Sequence, residues 1–359
     1  MTYTTEFYPS ADGIHQIFSQ AWHPAGQPRG ILQIVHGISE HSGRYEHFAT
    51  FLADLGFLVV AEDHLGHGKS APDKADRGYF AKRKGWKTVV DDIAELHRRT
   101  AAQYPGVPYF LMGHSMGSFL TRTYLFRKPA PLAGVILSGT AQQPGWMLVG
   151  GRLLTRLYRL VAGERFRSGF VHGIAMGGYN KAFFPNRTDK DWLTRDERVV
   201  DAYVKDPRSG GRPTVGLYSD LMQGLTQMPK PANLQKMQKD LPIFFIAGDK
   251  DPVGAMGEGV KAAYNSMLEA GCTDITLKLY AGARHELLNE LNRDEVYEDL
   301  KDWLVGKLDE LKIKKHRGCG AFFISSVFTW LPAPAARQLS FVAAADIPSN
   351  RRHRPKWHR

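Results

Sequence analysis

Residues 109–125 read YFLMGHSMGSFLTRTYL. An apolar run enters Gly113-His114-Ser115-Met116-Gly117, and a segment with helical spacing of apolar residues leaves it. The pattern predicts a strand, a sharp turn and a helix. A Gly-x-Ser-x-Gly turn in that setting is so tight that the residues flanking the serine must be small, and it holds the serine Oγ out at the end of the strand. With 36 glycines in the chain the bare pattern carries little weight, and the flanking strand and helix are what single out Ser115 as a candidate nucleophile.

Composition bounds what surrounds it. The chain has 359 residues, 43% hydrophobic and 23% charged, an ordinary globular balance with room for one large domain and an insertion. Its first residues, MTYTTEFYPSADG, hold no basic region followed by an apolar core, and no run approaches the roughly 20 apolar residues that span a bilayer. The expectation is a soluble, cytoplasmic protein. Cys272 and Cys319 are too few for a disulfide framework, and no Cys/His cluster has zinc-ligand spacing. The formal charge of +11 is uneven: after Lys315 seven Lys and Arg stand against the single acid Asp346, more than half of the excess. What remains is a mild surface bias without a basic stripe and interleaved aromatics, which speaks against a nucleic-acid partner.

Upstream of the serine, residues 14–22 alternate apolar and polar side chains and 31–35 are continuously apolar, and both read as strands. The second leads into His36-Gly37-Ile38-Ser39-Glu40-His41-Ser42-Gly43-Arg44-Tyr45, after which Phe48, Phe51, Leu52 and Leu55 recur at helical spacing until Gly56. A serine nucleophile needs N–H donors for the oxyanion it creates. One follows the nucleophile, here Met116, and the other comes from a loop after an early strand, for which Ile38 is the candidate. The apolar run 57–61 feeds Glu62-Asp63-His64-Leu65-Gly66-His67-Gly68-Lys69-Ser70, a loop at the same sheet edge. No third ligand joins His64 and His67, so they are read as loop-stabilising groups. A helix over 86–104 and a strand over 133–138 flank the serine motif.

Between Gly139 and Pro242 the strand rhythm stops for about a hundred residues, too patterned for a linker and read as a cap. Its first part, 146–161, sets Trp146, Val149, Leu153, Leu154, Leu157, Leu160 and Val161 on one side and Arg152, Arg156 and Arg159 on the other. Such an amphipathic helix is expected to pack on the body; the sharper reading is a lid whose apolar face meets acyl chains or a membrane surface. Asp191, Asp196, Glu197 and Asp201 in 188–203 are read as a solvated face.

The strands resume at 243–247, followed by Gly248-Asp249-Lys250-Asp251-Pro252-Val253-Gly254, a helix over 257–270, a strand over 275–280, and Gly282-Ala283-Arg284-His285-Glu286. Strand-end serine hydrolases run in the order Ser, acid, His. Of the histidines after Ser115, only His285 sits on a loop directly after a predicted strand; His172 is in the cap and His316, His353 and His358 are near the end of the chain. His285 is therefore the candidate base. Asp251 is the candidate acid, because it lies farther along its loop and precedes Pro252, which favours an extended backbone; Asp249, two residues earlier, is the rival.

HGISEHSGRY, DHLGHGKS, GHSMG, GDKDPVG and ARHELLNE resemble, in that order, the blocks of the α/β-hydrolase branch that holds monoacylglycerol lipases and bacterial lysophospholipases, over about residues 4–311. The resemblance implies a mostly parallel eight-stranded sheet flanked by helices with an inserted helical cap. It also implies a Ser115, Asp251 and His285 triad, Ile38 and Met116 as oxyanion donors, no cofactor, and a small lipophilic ester as substrate. General carboxylesterases and proline-releasing peptidases share this body, and a catalytically silent relative binding a hydrophobic ligand is the reading of a different class. The domain division expected is a body of 1–139 and 242–315, a cap of 140–241, and a basic, disordered tail of 316–359 that has no helical period and no counterpart in the family.

Overall fold

Strands buried on both faces of a parallel sheet read as unbroken apolar runs, and here such runs form the centre of the fold. The computed structural model describes residues 2–127 and 129–327. Within residues 1–311, one compact unit, a single sheet contains β1 (Thr2–Pro9), β2 (Gln16–His23), β3 (Gly30–Val35), β4 (Phe57–Glu62), β5 (Tyr109–His114), β6 (Gly134–Ser138), β7 (Ile243–Gly248) and β8 (Ile275–Tyr280). The spatial order is β1-β2-β4-β3-β5-β6-β7-β8. β2 runs antiparallel to both β1 and β4, and every later pairing is parallel.

That topology gathers the loops after β3, β4, β5, β6, β7 and β8 at one edge of the sheet, the place where sheets of this kind carry their sites. Alternation along each strand sorts side chains between two cores. Ile31, Val35 and Leu111 meet α2 (Gly85–Gln103), α3 (Met116–Leu125) and α9 (Glu258–Glu269) on one face. Leu32, Ile34, Phe110 and Met112 meet α1 (Glu46–Asp54) and Leu300, Leu304 and Leu308 of α10 (Arg293–Val327) on the other. The sequence did not announce β1. Of its eight residues only Tyr8 is buried, so this edge strand carries almost no apolar signal.

Between β6 and β7 come α4 (Gly145–Ala162), α5 (Gly169–Met176), α6 (Glu197–Lys205), α7 (Val215–Gln227) and α8 (Pro231–Leu234), with no strand. The packing expected of α4 is corrected. Leu148 and Thr155 are its buried residues, while Leu153 and Leu160 are 70% and 85% exposed, and Trp146, Val149, Leu157 and Val161 are exposed with them. Close approach shapes this: a Cβ on Gly151 would stand 2.8 Å from Met222 Sδ of α7, so α4 docks through the side carrying Leu148, Gly151 and Thr155, with Leu154 and Tyr158 partly buried there, and turns the other large residues outward. A second correction concerns the acids of 188–203. Asp191 accepts from the N–H of Arg187 and Thr188, and Asp196 caps α6 by accepting from Arg198 N–H, so two of the four serve local backbone rather than solvent.

The unit that follows residue 311 continues α10 to Val327, where the sequence showed no helical period. No proline occurs within α10, so nothing in its backbone forces an earlier stop. Residues 328–359, part of the segment expected to be disordered, lie outside the described residues.

Candidate active site

The turn between β5 and α3 bends as its glycines require. A Cβ on Gly117 would lie 2.0 Å from the Val35 carbonyl oxygen, and one on Gly113 would lie 2.5 Å from the Gly117 carbonyl oxygen. Ser115 takes φ 52°, ψ −122°, a backbone region that side chains avoid and that costs on the order of 1–3 kcal/mol. The surroundings hold it there: Ser115 N–H donates to Ser138 O at 2.9 Å, and Ser118 Oγ donates to Ser115 O at 2.6 Å. Strain retained under such constraint is typical of positions where a side chain is aimed for use.

His285 and Asp251 meet across the ends of β8 and β7, with His285 Nδ1 2.9 Å from Asp251 Oδ2. Both are buried, and the other carboxylate oxygen of Asp251 accepts from Val253 N–H at 2.9 Å. Asp249 is occupied elsewhere: its Oδ1 accepts from Gly282 N–H at 2.8 Å and ties the two loops into register. Of the two carboxylates, the structure thus brings Asp251 to the imidazole. Burial pushes the His285 pKa down, but the charge and hydrogen bond of Asp251, with Glu286 and Glu40 behind it, outweigh burial and leave it raised. Gly139 makes room for the ring, since a Cβ there would lie 3.0 Å from His285 Cε1. Trp192 covers it from the insertion, ring to ring at 5.2 Å, and His114 lies at 4.7 Å on another side.

Ser115, His285 and Ile38 line one pocket of about 650 Å³. Met176, Trp192 and Leu193 give it apolar wall, and Asn180, Thr188 and Lys190 give it polar wall. No residue of α4 lines it, so the apolar face of that helix is not its gate. Met116 is the first residue of α3, where N–H groups have no partner within the helix. Among the described residues neither Met116 N–H nor Ile38 N–H donates to an acceptor outside regular helix or strand pairing. The side chain of Ile38 packs against Val171 and Val215, which leaves its backbone to set the loop.

Sequence reasoning missed what fixes that loop. Gly37 N–H donates to Glu40 Oε1, which also accepts from Tyr45 Oη at 2.9 Å. Arg44 binds Glu286 with both terminal nitrogens at 2.6 Å and Glu40 at 2.9 Å. Its guanidinium lies over the Tyr203 ring at 4.7 Å, and Tyr203 Oη donates to Ser39 O at 3.0 Å. Glu286 directly follows His285, so one buried network joins the loop after β3, the loop bearing the imidazole, and α6. Burial pushes the Glu286 pKa up, but Arg44 overrides it and lowers it to about 2. The signal in the sequence was a carboxylate next to the candidate base and an arginine in a glycine-rich strand-end loop. Charge in a loop reads by default as solvated.

His64 and His67 sit one loop away. His64 stacks on His36 with ring centres 3.9 Å apart, its N–H donates to His36 Nε2 at 3.0 Å, and burial brings the pKa of both His64 and His67 down to about 4. Among the described residues no group of three or more His, Cys, Asp or Glu has the geometry of a metal site.

The sequence pattern of the family described as serine aminopeptidase, S33, matches residues 26–292. A monoacylglycerol lipase of Mycolicibacterium smegmatis is 30% identical over 82% of this chain and 94% of its own length, and a human monoglyceride lipase is 28% identical over 82% and 88%. The crystal structure of a thermostable carboxyl esterase from Bacillus coagulans superposes with a TM-score of 0.80 at 31% identity, over 86% of this chain and 99% of that one. The chain belongs to the serine aminopeptidase S33 family of α/β-hydrolases, in the branch that includes the monoacylglycerol lipases, and is a serine ester hydrolase.

Proposed function

We propose that the chain hydrolyses esters of a lipophilic acyl chain with a small polar alcohol, of the monoacylglycerol or lysophospholipid type, through an acyl-enzyme on Ser115. The observation that carries this is the buried Asp251–His285 pair, 2.9 Å apart, whose His285 lines the pocket that also holds Ser115. In this reading Asp251 fixes the imidazole with Nδ1 protonated and stabilises the imidazolium. His285 Nε2 then takes the Ser115 proton as Oγ attacks the ester carbonyl, and passes it to the leaving alcohol. Ile38 and Met116 N–H receive the oxyanion. Water attacks the acyl-enzyme by the same route, and Ser115 regains its proton.

The segment 140–241 acts as the cap, supported by the pocket walls that Met176, Trp192 and Leu193 supply. The outward face of α4 meets the lipid aggregate in which such substrates reside. Its support is the run of large apolar side chains left exposed, with Phe170 and Ile174 of α5 exposed as well, more than a solitary surface needs. No helix among the described residues is long and apolar enough to cross a membrane.

The test is a hydrolysis panel of short and long acyl esters, a monoacylglycerol, a lysophosphatidylcholine and a prolyl amide, with fluorophosphonate labelling. Labelling and turnover should vanish in Ser115→Ala while the fold is kept, and the long acyl esters should be preferred. Full turnover in a folded Ser115→Ala, or cleavage of the prolyl amide alone, would reject the reading.

A further inference from the structure

Ser39 and Gly211, part of the catalytic pocket wall, also form the wall of a smaller cleft of about 40 Å³. Its other lining includes Arg77 from the loop after β4, and Arg167 and Arg208 from the insertion. Three guanidinium-bearing side chains around so small a space repel one another unless something negative lies between them.

What the chain itself supplies is not enough. Neither Arg77 nor Arg167 forms an ion pair among the described residues, and both are held by neutral carbonyls: Arg77 Nη1 donates to Pro207 O at 2.9 Å, and Arg167 donates to the carbonyls of Arg77, Arg212 and, at 3.3 Å, Lys74. Arg208 Nε stands 3.5 Å from Asp206, whose carboxylate already accepts from His41 at 2.6 Å and Ser209 at 2.9 Å. The guanidinium of Arg167 lies against bare backbone, since a Cβ on Gly78 would come within 3.3 Å of its Nη1. Burial, and then the charge of Arg165, lower its pKa. Two further polar atoms of lining residues, Arg77 Nε and His67 Nε2, are buried without a hydrogen-bond partner, and His67 is only 4% exposed. With His67 Nδ1 set 3.2 Å from Leu65 O, as donor to it, Nε2 offers a lone pair. An anion that also carries a proton satisfies both kinds of group. The space fits such an occupant, because a water needs about 10–15 Å³ and a cavity of this size holds a few waters or one tetrahedral oxyanion.

We propose that this cleft is a subsite for an oxyanion of the phosphate class, bound by Arg77, Arg167 and Arg208. Its occupant is either the phosphate head group of an acylglycerol phosphate whose ester reaches Ser115, which rests on the function proposed above, or free inorganic phosphate. Either way it bridges the loop after β4 and the insertion beside Ser39, whose Oγ donates to Gly211 O at 2.8 Å and whose carbonyl accepts from Gly210 N–H at 2.8 Å.

The experiment uses the full chain. Thermal unfolding is followed against inorganic phosphate and against chloride at matched ionic strength, for wild type, Arg77→Gln and Arg208→Gln. Phosphate should raise the wild-type Tm in a saturable way and should not do so in the variants; Arg208, exposed and ion-paired with Asp206, gives a folded variant if Arg77→Gln does not. No saturable rise in wild type, or the same rise in both variants, overturns the proposal whatever the esterase activity. In parallel, kcat/KM is measured for octanoylglycerol phosphate and for octanoylglycerol. A tenfold or greater fall in the ratio of the two in the variants assigns the site to the head group, and an unchanged ratio with the Tm effect intact assigns it to free phosphate. A wild type that hydrolyses neither ester yet shows the Tm effect would end the proposed function and leave the subsite standing.

Discussion

Replacing Arg44 by Met would remove the one positive charge that the structure places against both Glu40 and Glu286, and would leave two carboxylates buried, at 4% and 5% exposure, without it. Two routes give the size of the loss. Breaking a buried ion pair by deleting one partner costs about 3–5 kcal/mol, because the remaining charge stays desolvated. Independently, the Glu286 pKa falls from 4.5 to about 2 in the folded protein, which at 1.36 kcal/mol per unit is about 3 kcal/mol. The folded pKa is depressed, so this stability is fully present above about pH 4.5 and drains away as pH falls towards 2. Urea unfolding of both proteins at neutral pH and at successively lower pH gives the comparison. Arg44→Met should be less stable by about 3–5 kcal/mol near neutrality, and the gap should narrow below about pH 4.5 as the wild type loses the stability that its depressed Glu286 pKa supplies. A loss under about 1 kcal/mol, or a gap that stays constant down to pH 3, would refute the idea that Arg44 neutralises buried charge.

Asp251→Asn should cut ester turnover by about 10⁴-fold in a folded protein, the loss that the same change causes in another serine hydrolase through the wrong imidazole tautomer. Asp249→Asn should keep most turnover and cost stability, and the reverse pattern would move the acid to Asp249. Because Asp251 raises the His285 pKa above its usual 6.5, kcat/KM should fall with decreasing pH along a limb centred above 6.5; a limb centred well below 6 would exclude His285 as the base. Leu153→Ser with Leu157→Ser should change the unfolding free energy by no more than about 0.5 kcal/mol per site, since both are already largely exposed. The same pair should weaken binding to phospholipid vesicles measured by flotation, and a large stability loss would mean that the face packs within the protein.

What could be read from the sequence follows from which constraints are local. The elbow is local: Gly113 and Gly117 are glycines because backbone oxygens occupy the space a Cβ would need, and that demand is written in five consecutive residues. The order Ser115, Asp251, His285 was legible because a parallel sheet sends each strand-end loop to the same edge. Asp249 was expected to bond the backbone of its own turn, whereas its Oδ1 accepts from Gly282 N–H on the next loop, a partner that local turn chemistry does not indicate. The Arg44 network was not legible, because Glu286 and Arg44 are 242 positions apart. β1 gave too little apolar signal, being held by its pairing with β2 more than by burial.

The α4 helix shows the limit of periodicity itself. A hydrophobic period says that a helix has two unlike faces, and it does not say which of them the rest of the chain covers. Here the contact was chosen by how closely two backbones can approach: Leu148, Gly151 and Thr155 follow at intervals of three and four, Thr155 Oγ1 folds back onto Gly151 O at 2.9 Å, and Met222 of α7 fills the space that Gly151 leaves open. With that side engaged, Trp146, Leu153 and Leu160 have only the outside to face. The consequence reaches the pocket. Its apolar wall comes from Met176, Trp192 and Leu193, farther along the insertion, and Trp192 also lies against His285. A change in acyl-chain preference is therefore to be sought first at those three positions. The outward face of α4 should instead govern where the protein stands when it meets its substrate.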